Sequence, residues 1–270
     1  MPPWSAEFTV DEERARELIS RFFVPRSLRL LGEGWDNSVW LADERWVFRF
    51  PRRRIAVPLI RREIAVLGEL APQLPLPIPV PHFVGDDHFG ARHIPGRELP
   101  GTAPGRALGE FLRALHDARV SVELPDDPMG RADMPVRVPR AIDALAAIGR
   151  DAPAWLHEAR ALPRPAPSCV VHGDLHLRHV LVDGGAISGV IDWGDVCRGD
   201  PSVDLPLYWS SLSGDGRSEF LAAYGPLSEE QLLRGRVLAV FLCAVLADYA
   251  AAERMDDLAR ETLAGLDRAM

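Results

Sequence analysis

The stretch that decides the fold reads His172-Gly173-Asp174-Leu175-His176-Leu177-Arg178-His179, and it is followed after a β-branched segment by Ile191-Asp192-Trp193. An apolar run over residues 169–171 precedes it and predicts a short buried strand. Residues 180–192 contain two β-branched runs around an Asp-Gly-Gly turn, the pattern of a β-hairpin. Because a hairpin brings its ends together, the sequence predicts Asp192 beside His179 and the loop that carries Asp174.

Two acids and a histidine around one cavity suit phosphoryl transfer. This reaction uses one carboxylate to orient the attacking hydroxyl and accept its proton, and a second acid with a neighbouring ligand to hold a metal between nucleotide phosphates. Asp174 fits the first role, and Asp192 with His179 fits the second. The alternative is a solvated loop whose acids cap turns. That alternative suits any one of these residues alone, whereas the ordered set favours the chemistry.

These motifs resemble those of the aminoglycoside phosphotransferase family, which is related to the protein kinases. The resemblance covers residues 170–205 and includes the later run Asp200-Pro201-Ser202-Val203-Asp204-Leu205. Most members have Asn at the position of His179. The variant Gly-Asp-Leu-His-x-x-His is closer to the macrolide phosphotransferase branch.

The resemblance implies an α+β, bilobal, protein-kinase-like fold. We expect residues 1–95 to form a nucleotide-binding lobe with an antiparallel sheet and a helix. Residues 96–270 should form a mostly helical lobe that carries catalysis and acceptor binding. The residue pattern places helices over 11–23, 56–70, 102–116, 140–162 (interrupted near 151–153), 201–211, 218–224 and 229–269. It places strands over 28–31, 38–42, 46–50, 80–85 and 89–94, an extended segment over 72–81, and a loop over 121–139.

In the first lobe, Arg49 follows the alternating residues Trp46 and Phe48 on a predicted strand, where kinases and their relatives place a phosphate-binding lysine. Glu63 on the helix over 56–70 would then position Arg49, as in the kinase Lys–Glu pair. The alternatives are a surface arginine at a strand edge and a local pairing of Glu63 with its arginine neighbours in sequence.

The glycine turn containing Gly34 suits a loop over nucleotide phosphates, with a plain β-turn as the alternative. The run Ile94-Pro95-Gly96 resembles the family segment that follows the hinge between lobes. The resemblance implies that the backbones of Arg92 and Ile94 meet the nucleotide base. Backbone recognition leaves no side-chain pattern, so both ATP and GTP remain open.

Within the site, the resemblance supports a metal-side role for His179 and implies a structural bond from Asp204 to the catalytic loop. Magnesium prefers oxygen ligands, so a nitrogen donor favours Mn²⁺ relative to Mg²⁺. We expect His172 to hold the loop against Asp192. For the acceptor, acids and aromatics after the metal acid form a candidate wall: Asp195, Asp200, Tyr208 and Trp209. They suit an aminoglycoside, a macrolide or an unrelated metabolite.

Composition sets broader limits. The 270 residues have 47% apolar and 26% charged content, enough for two lobes with a real core, and the net charge of −8 argues against non-specific nucleic-acid binding. Three separated cysteines without a CxxC pair predict reduced thiols. The first ten residues show no signal pattern, and the apolar run 237–247 is too short to span a bilayer. We expect a cytoplasmic monomer with no membrane partner.

The sequence therefore predicts a phosphotransferase that moves the γ-phosphate of ATP or GTP to a hydroxyl of a small molecule, with an antibiotic-like compound as the first candidate. A nucleotide-binding pseudoenzyme and a metal-dependent hydrolase are the competing hypotheses. Retention of Asp174 and Asp192 argues against the pseudoenzyme, and the hydrolase has no need of the Arg49–Glu63 pair.

Overall fold

The computed structural model describes residues 6–34, 36–99 and 101–270. The chain divides into two compact units. The first consists of residues up to 72, 77–95 and 120–122, and the second of residues 73–76, 96–119 and 123–270. The assignment of nucleotide binding to residues 1–95 and of catalysis to residues 96–270 stays a prediction.

The first unit is built on a five-stranded antiparallel sheet with the strand order β1-β2-β3-β5-β4. The turn between β1 and β2 includes Trp35, which lies outside the described residues. The elements are α1 (Glu12–Ser20), β1 (Leu28–Glu33), β2 (Asn37–Ala42), β3 (Trp46–Pro51), α2 (Ala56–Leu70), a 3₁₀ turn (Ala71–Gln73), β4 (Pro81–Val84) and β5 (Phe89–Arg92).

Alternation along β3 distributes its side chains between two faces of the sheet. Phe48 and Phe50 join a buried cluster with Ile19 of α1. Arg49 pairs in register with Phe89, which is buried against Ile60 of α2. The strand pattern therefore directs Arg49 toward the face that α2 covers.

The second unit is mostly helical and contains two small antiparallel sheets, one with the order β6-β8-β9 and one that pairs β10 with β7. Its elements are β6 (Arg97–Glu98), α3 (Gly105–Asp117), α4 (Met134–Ala147), α5 (Ala154–Ala159), β7 (Cys169–Val171), β8 (Val180–Asp183), β9 (Ala186–Val190), β10 (Cys197–Gly199), a 3₁₀ helix (Pro201–Asp204), α6 (Pro206–Ser210), α7 (Asp215–Tyr224), α8 (Glu229–Ala252) and α9 (Asp256–Ala269).

Close helix packing forms the core of this unit. A Cβ added at Gly105 of α3 would lie 2.1 Å from the carbonyl oxygen of Gly216 in α7, so only glycine allows this approach. The central helix α8 contributes Val237, Val240 and Ala244 to a cluster with α4 and α9. Within the described residues, α8 is long and apolar enough to cross a membrane by length and composition, and half of its apolar window is buried.

Three predictions of element bounds were wrong in part. The loop predicted over 121–139 ends earlier, because α4 begins at Met134, with a proline in its first turn, where no backbone donor is needed. The helix predicted over 201–211 is a 3₁₀ helix and a short α-helix that meet at Leu205, before Pro206. The helix predicted over 229–269 is broken between α8 and α9, where Arg254 adopts a left-handed φ of 57°.

The segment over 72–81 also differs slightly from the extended conformation that was predicted for it. Its first two residues belong to the 3₁₀ turn Ala71–Gln73, because proline is tolerated in the first turn of a helix. Residues 74–80 contain no helix or strand. The break in the α-helical pattern after Leu70 was therefore predicted correctly.

Candidate active site

Asp174 lies in the loop between β7 and β8, and buried hydrogen bonds hold this loop. The backbone N–H groups of His172 and Gly173 donate to the two carboxylate oxygens of Asp204, at 2.7 and 3.0 Å. Gly173 has a φ of 90°, and an added Cβ would lie 2.3 Å from the carbonyl oxygen of Asp195. Only glycine fits this position, which presses the loop against the segment that follows Asp192.

His172 ties the loop to the residue before Asp192, as the sequence predicts. Its Nε2 lies 3.0 Å from the carbonyl oxygen of Ile191, and the backbone N–H of Asp174 donates to its Nδ1 at 3.3 Å. Burial lowers the pKa of His172, although the charge of Asp204 opposes the shift. The neutral ring with its proton on Nε2 satisfies both bonds.

Asp174, His176 and His179 form one compact cluster. A carboxylate oxygen of Asp174 lies 3.6 Å from Nε2 of His176 and 3.7 Å from Nδ1 of His179, and the two rings are 3.9 Å apart. Burial acts to raise the pKa of Asp174, but His176, His179 and Arg131 outweigh burial and hold this pKa well below its usual range. The carboxylate is therefore ionised at neutral pH.

The hairpin β8–β9 returns Asp192 to His179. Nδ1 of His179 lies 2.7 Å from the backbone oxygen of Asp174, so this nitrogen is the donor, and Nε2 lies 3.4 Å from a carboxylate oxygen of Asp192. Burial and His176 lower the pKa of His179 against the charges of Asp192 and Asp174. Asp192 itself has a φ of 65°, a left-handed conformation that costs energy and is concentrated at functional sites.

This donor set fits a divalent cation. Among the described residues, Asp174, His176 and His179 place one candidate ligand atom each within 4.8 Å of one another. The proton on Nδ1 of His179 leaves the Nε2 lone pair facing Asp192, which is how a histidine is oriented for metal binding. Carboxylates suit Mg²⁺, and a mixed oxygen and imidazole set also suits Mn²⁺.

In the first unit, the structure brings together the two predicted partners Arg49 and Glu63. Nη1 of Arg49 lies 3.3 Å from a carboxylate oxygen of Glu63, and both side chains are buried. A surface arginine and an exposed local pairing of Glu63 are therefore wrong. Desolvation of both charges is costly, and the contact alone is weak evidence for stability.

The other predicted nucleotide contacts lie at the ends of strands. The backbone N–H of Gly34 donates to the Asn37 carbonyl at 2.8 Å, which closes the turn between β1 and β2. Arg92 is the exposed last residue of β5, and Ile94 is half-buried just beyond it. Their contacts with a nucleotide remain a prediction.

The four predicted acceptor residues make their described contacts in different parts of the second unit, except that the rings of Tyr208 and Trp209 lie 5.4 Å apart. Asp195 lies against the catalytic loop and pairs with Arg131 at 2.8 Å. Asp200 accepts from the backbone N–H of Ser202 at 3.0 Å and thereby caps the following 3₁₀ helix. Tyr208 is buried, and its ring packs against Phe220.

The side chain of Trp209 also makes its contacts within the second unit. Its indole N–H donates to the carbonyl oxygen of Leu232 at 2.8 Å. The guanidinium groups of Arg217 and Arg236 lie 4.6 and 5.2 Å from the centre of its ring. Asp195 is thus the one member of the predicted wall that the described contacts connect to Asp174.

Sequence reasoning missed Arg131, which contacts both Asp195 and Asp127 and whose charge acts on Asp174. The spacing of Asp127 and Arg131 was a readable signal, because residues four apart can pair in a turn or helix. Their neighbour Asp195 is 64 positions from Arg131, and no local pattern connects the two.

The family model described as "Phosphotransferase enzyme family" (APH) matches residues 27–237. The chain belongs to this phosphotransferase family. The match extends from β1 into α8 and includes every candidate site residue, so the predicted family is confirmed.

Solved structures confirm the kinase-like α+β fold. The GDP and kanamycin complex of APH(2")-IIia has a TM-score of 0.68 and 19% identity, and covers 96% of this chain and 98% of that chain. Macrolide 2'-phosphotransferase MphH from Brachybacterium faecium has a TM-score of 0.66 and 22% identity, and covers 94% of this chain and 98% of that chain. At these identities the likeness shows the fold alone.

One curated relative has a higher identity over a shorter segment. This is homoserine kinase of Methylobacterium sp. (strain 4-46), 36% identical over 121 residues, which cover 40% of this chain and 36% of that kinase. The chain therefore spans little more than a third of that relative's length.

Proposed function

We propose that this phosphotransferase moves the γ-phosphate of ATP or GTP to a hydroxyl of a small molecule. The observation that carries the proposal is the position of His179 between two acids, with its Nδ1 3.7 Å from a carboxylate oxygen of Asp174 and its Nε2 3.4 Å from one of Asp192. The family match supports the reaction class.

Asp174 is the proposed catalytic carboxylate. Its lowered pKa keeps it ionised at neutral pH, so it can accept a hydrogen bond from the acceptor hydroxyl and orient that oxygen for attack. The buried bonds from the catalytic loop to Asp204 hold the backbone of this loop in place. Positioning is the main contribution that a protein makes to phosphoryl transfer.

Asp192 and His179 are the proposed metal ligands, for Mg²⁺ or Mn²⁺. A bound cation supplies charge neutralisation between nucleotide phosphates. Arg49, oriented by Glu63, is the proposed phosphate-binding side chain of the first unit, and Gly34, Arg92 and Ile94 are the proposed backbone contacts. An arginine offers a planar, bidentate phosphate contact in place of the ammonium of a lysine.

For the acceptor, an antibiotic is the first candidate, because the structural neighbours include a kanamycin complex and a macrolide phosphotransferase. The hydroxyl of an amino acid is the second candidate, favoured by the alignment with a homoserine kinase. Asp195 is the proposed acceptor-side acid. We further propose a monomer that acts in the cytoplasm without membrane partners, and the net charge of −8 argues against non-specific nucleic-acid binding.

A thermal-shift panel followed by phosphorus NMR tests this function. We expect ATP or GTP with Mg²⁺ or Mn²⁺ to raise the melting temperature, because ligand binding to the native state stabilises it. Kanamycin, a macrolide and homoserine are then added as acceptors, and a new phosphoester signal identifies the product. Metal-dependent hydrolysis without nucleotide would contradict the proposal and favour the hydrolase, and nucleotide binding without turnover would favour the pseudoenzyme.

A further inference from the structure

Arg131, in the loop before α4, lies between two acids, Asp195 and Asp127. Its guanidinium group lies 2.8 Å from a carboxylate oxygen of Asp195 and 3.2 Å from one of Asp127. The side chains of Arg131 and Asp127 are each 12% exposed and that of Asp195 is 37% exposed, so the pair with Asp127 is the better screened from solvent. An arginine can hold two carboxylates at once because its donors point in fixed, separate directions.

One end of this bridge is anchored to the sheet that supports the catalytic loop. The backbone N–H of Asp127 donates to the carbonyl oxygen of Arg198 at 2.7 Å, and the N–H of Arg198 donates back to Pro125 at 2.9 Å. Arg198 lies in β10, which pairs with β7, the strand that leads into the catalytic loop. Asp127 is therefore fixed relative to β7.

The other end of the bridge touches the catalytic loop directly. A Cβ added at Gly173 would lie 2.3 Å from the carbonyl oxygen of Asp195, so the backbone of Asp195 packs on the residue before Asp174. Asp195 also lies three residues after Asp192, in a segment closed by a hydrogen bond from the N–H of Val196 to the carbonyl of Trp193 at 3.0 Å.

We propose that Arg131 is a positioning residue of this site, which acts through Asp195 to fix the catalytic loop and the segment after the metal-side acid. The role of Arg131 in turnover rests on the proposed phosphotransferase function. Arg131 does not touch the reacting atoms in this account. It connects an anchored acid, Asp127, to Asp195, whose backbone packs on Gly173.

The proposal is tested by Arg131→Met, which keeps the length of the side chain and removes its charge and donors. We expect kcat to fall about 10- to 100-fold, because small misplacements of reacting groups have effects of this size. The KM for the nucleotide should stay within about threefold of the wild-type value, because the positioning that Arg131 provides acts mainly in the transition state. Arg131→Lys should restore part of kcat, and Arg140→Met, an exposed arginine of α4, is the control.

Hydrogen exchange supplies a measurement that is independent of activity. We expect faster exchange of the amides in residues 172–179 in Arg131→Met and in Asp195→Asn, with no change in the control. The double variant should lose no more kcat than Arg131→Met alone, since residues that act through one contact are not additive.

Separate outcomes overturn the two proposals. Unchanged exchange over residues 172–179 in a folded Arg131→Met protein, or kcat losses that multiply in the double variant, would overturn the role of Arg131. Should Arg131→Met not fold, Asp195→Asn and Arg131→Lys decide the question by the same two measurements. A wild-type protein without nucleotide-dependent phosphoryl transfer would instead overturn the proposed function. Unchanged hydrogen exchange in the variants would then still reject the positioning role of Arg131.

Discussion

Two consecutive segments of the second unit differ in how they use their polar side chains. In residues 172–192, the hairpin places Asp192 3.4 Å from His179, and the acids and histidines face one another. In residues 200–209, polar side chains stabilise the fold instead, since Asp200 caps a 3₁₀ helix and the indole N–H of Trp209 donates to the backbone of Leu232. Acids, histidines and aromatics therefore indicate a functional site when a short turn brings them together. Without such a turn, the same residue types can equally be structural.

Among the variants that distinguish the two segments, Asp174→Asn is expected to have the largest effect. We expect kcat to fall by about 10²–10⁴-fold, because the amide cannot accept the hydroxyl proton. Nucleotide binding should be retained. Steady-state kinetics of phosphoryl transfer measure the change, with Asp183→Asn in the exposed hairpin turn as the control. Unchanged turnover would remove Asp174 from the mechanism.

The next largest effect is expected at Asp204, whose carboxylate bonds to the backbone of the first segment. Its buried carboxylate accepts from His172 and Gly173 and lies 3.2 Å from Nε2 of His116. Asp204→Ala should lower the free energy of unfolding by about 3 kcal/mol, because it leaves buried donors unpaired. Urea denaturation measures this loss, and Asp248→Ala on the exposed side of α8 should change it little. Equal effects of both variants would contradict the account.

A smaller, more specific effect is expected from His179→Asn. This change replaces an imidazole nitrogen with an amide oxygen, which Mg²⁺ prefers. We expect the ratio of kcat/KM with Mg²⁺ to that with Mn²⁺ to rise several-fold. Kinetics with each metal in turn measure the ratio. An unchanged ratio would place the metal away from His179.

The smallest effect is expected in the second segment. Asp200→Ala should lower the free energy of unfolding by about 1 kcal/mol, the usual loss for a helix cap. The KM of the acceptor should stay the same, because the carboxylate is bonded to Ser202. Denaturation and acceptor kinetics check the two parts. A raised acceptor KM with unchanged stability would contradict this account and indicate that Asp200 contributes to acceptor binding.

Local patterns explain which elements could be predicted from the sequence. The bounds of α2, β7 and the hairpin agree with periodicity and turn chemistry. Strands β6 and β10 are two and three residues long, too short for any alternation to be visible. The break between α8 and α9 falls at Arg254, where neither glycine nor proline marks the left-handed conformation.

The same reasoning applies to the site. The cluster of Asp174, His179 and Asp192 was predictable, because a single hairpin brings its members together. The Arg49–Glu63 contact followed from a family resemblance and the pattern of one strand and one helix. The Arg131–Asp195 bridge could not be predicted, because it depends on how β10 pairs with β7.

The most direct test of the central claim is calorimetric titration of ATP and GTP, with and without Mg²⁺ or Mn²⁺, into wild-type protein, Asp174→Asn and Asp192→Ala. The account predicts that Asp174→Asn binds the metal–nucleotide within about threefold of wild type, because this residue acts in the transition state. Asp192→Ala should lose the metal-dependent part of the affinity. Normal metal–nucleotide binding by Asp192→Ala would contradict the claim and move the metal site elsewhere.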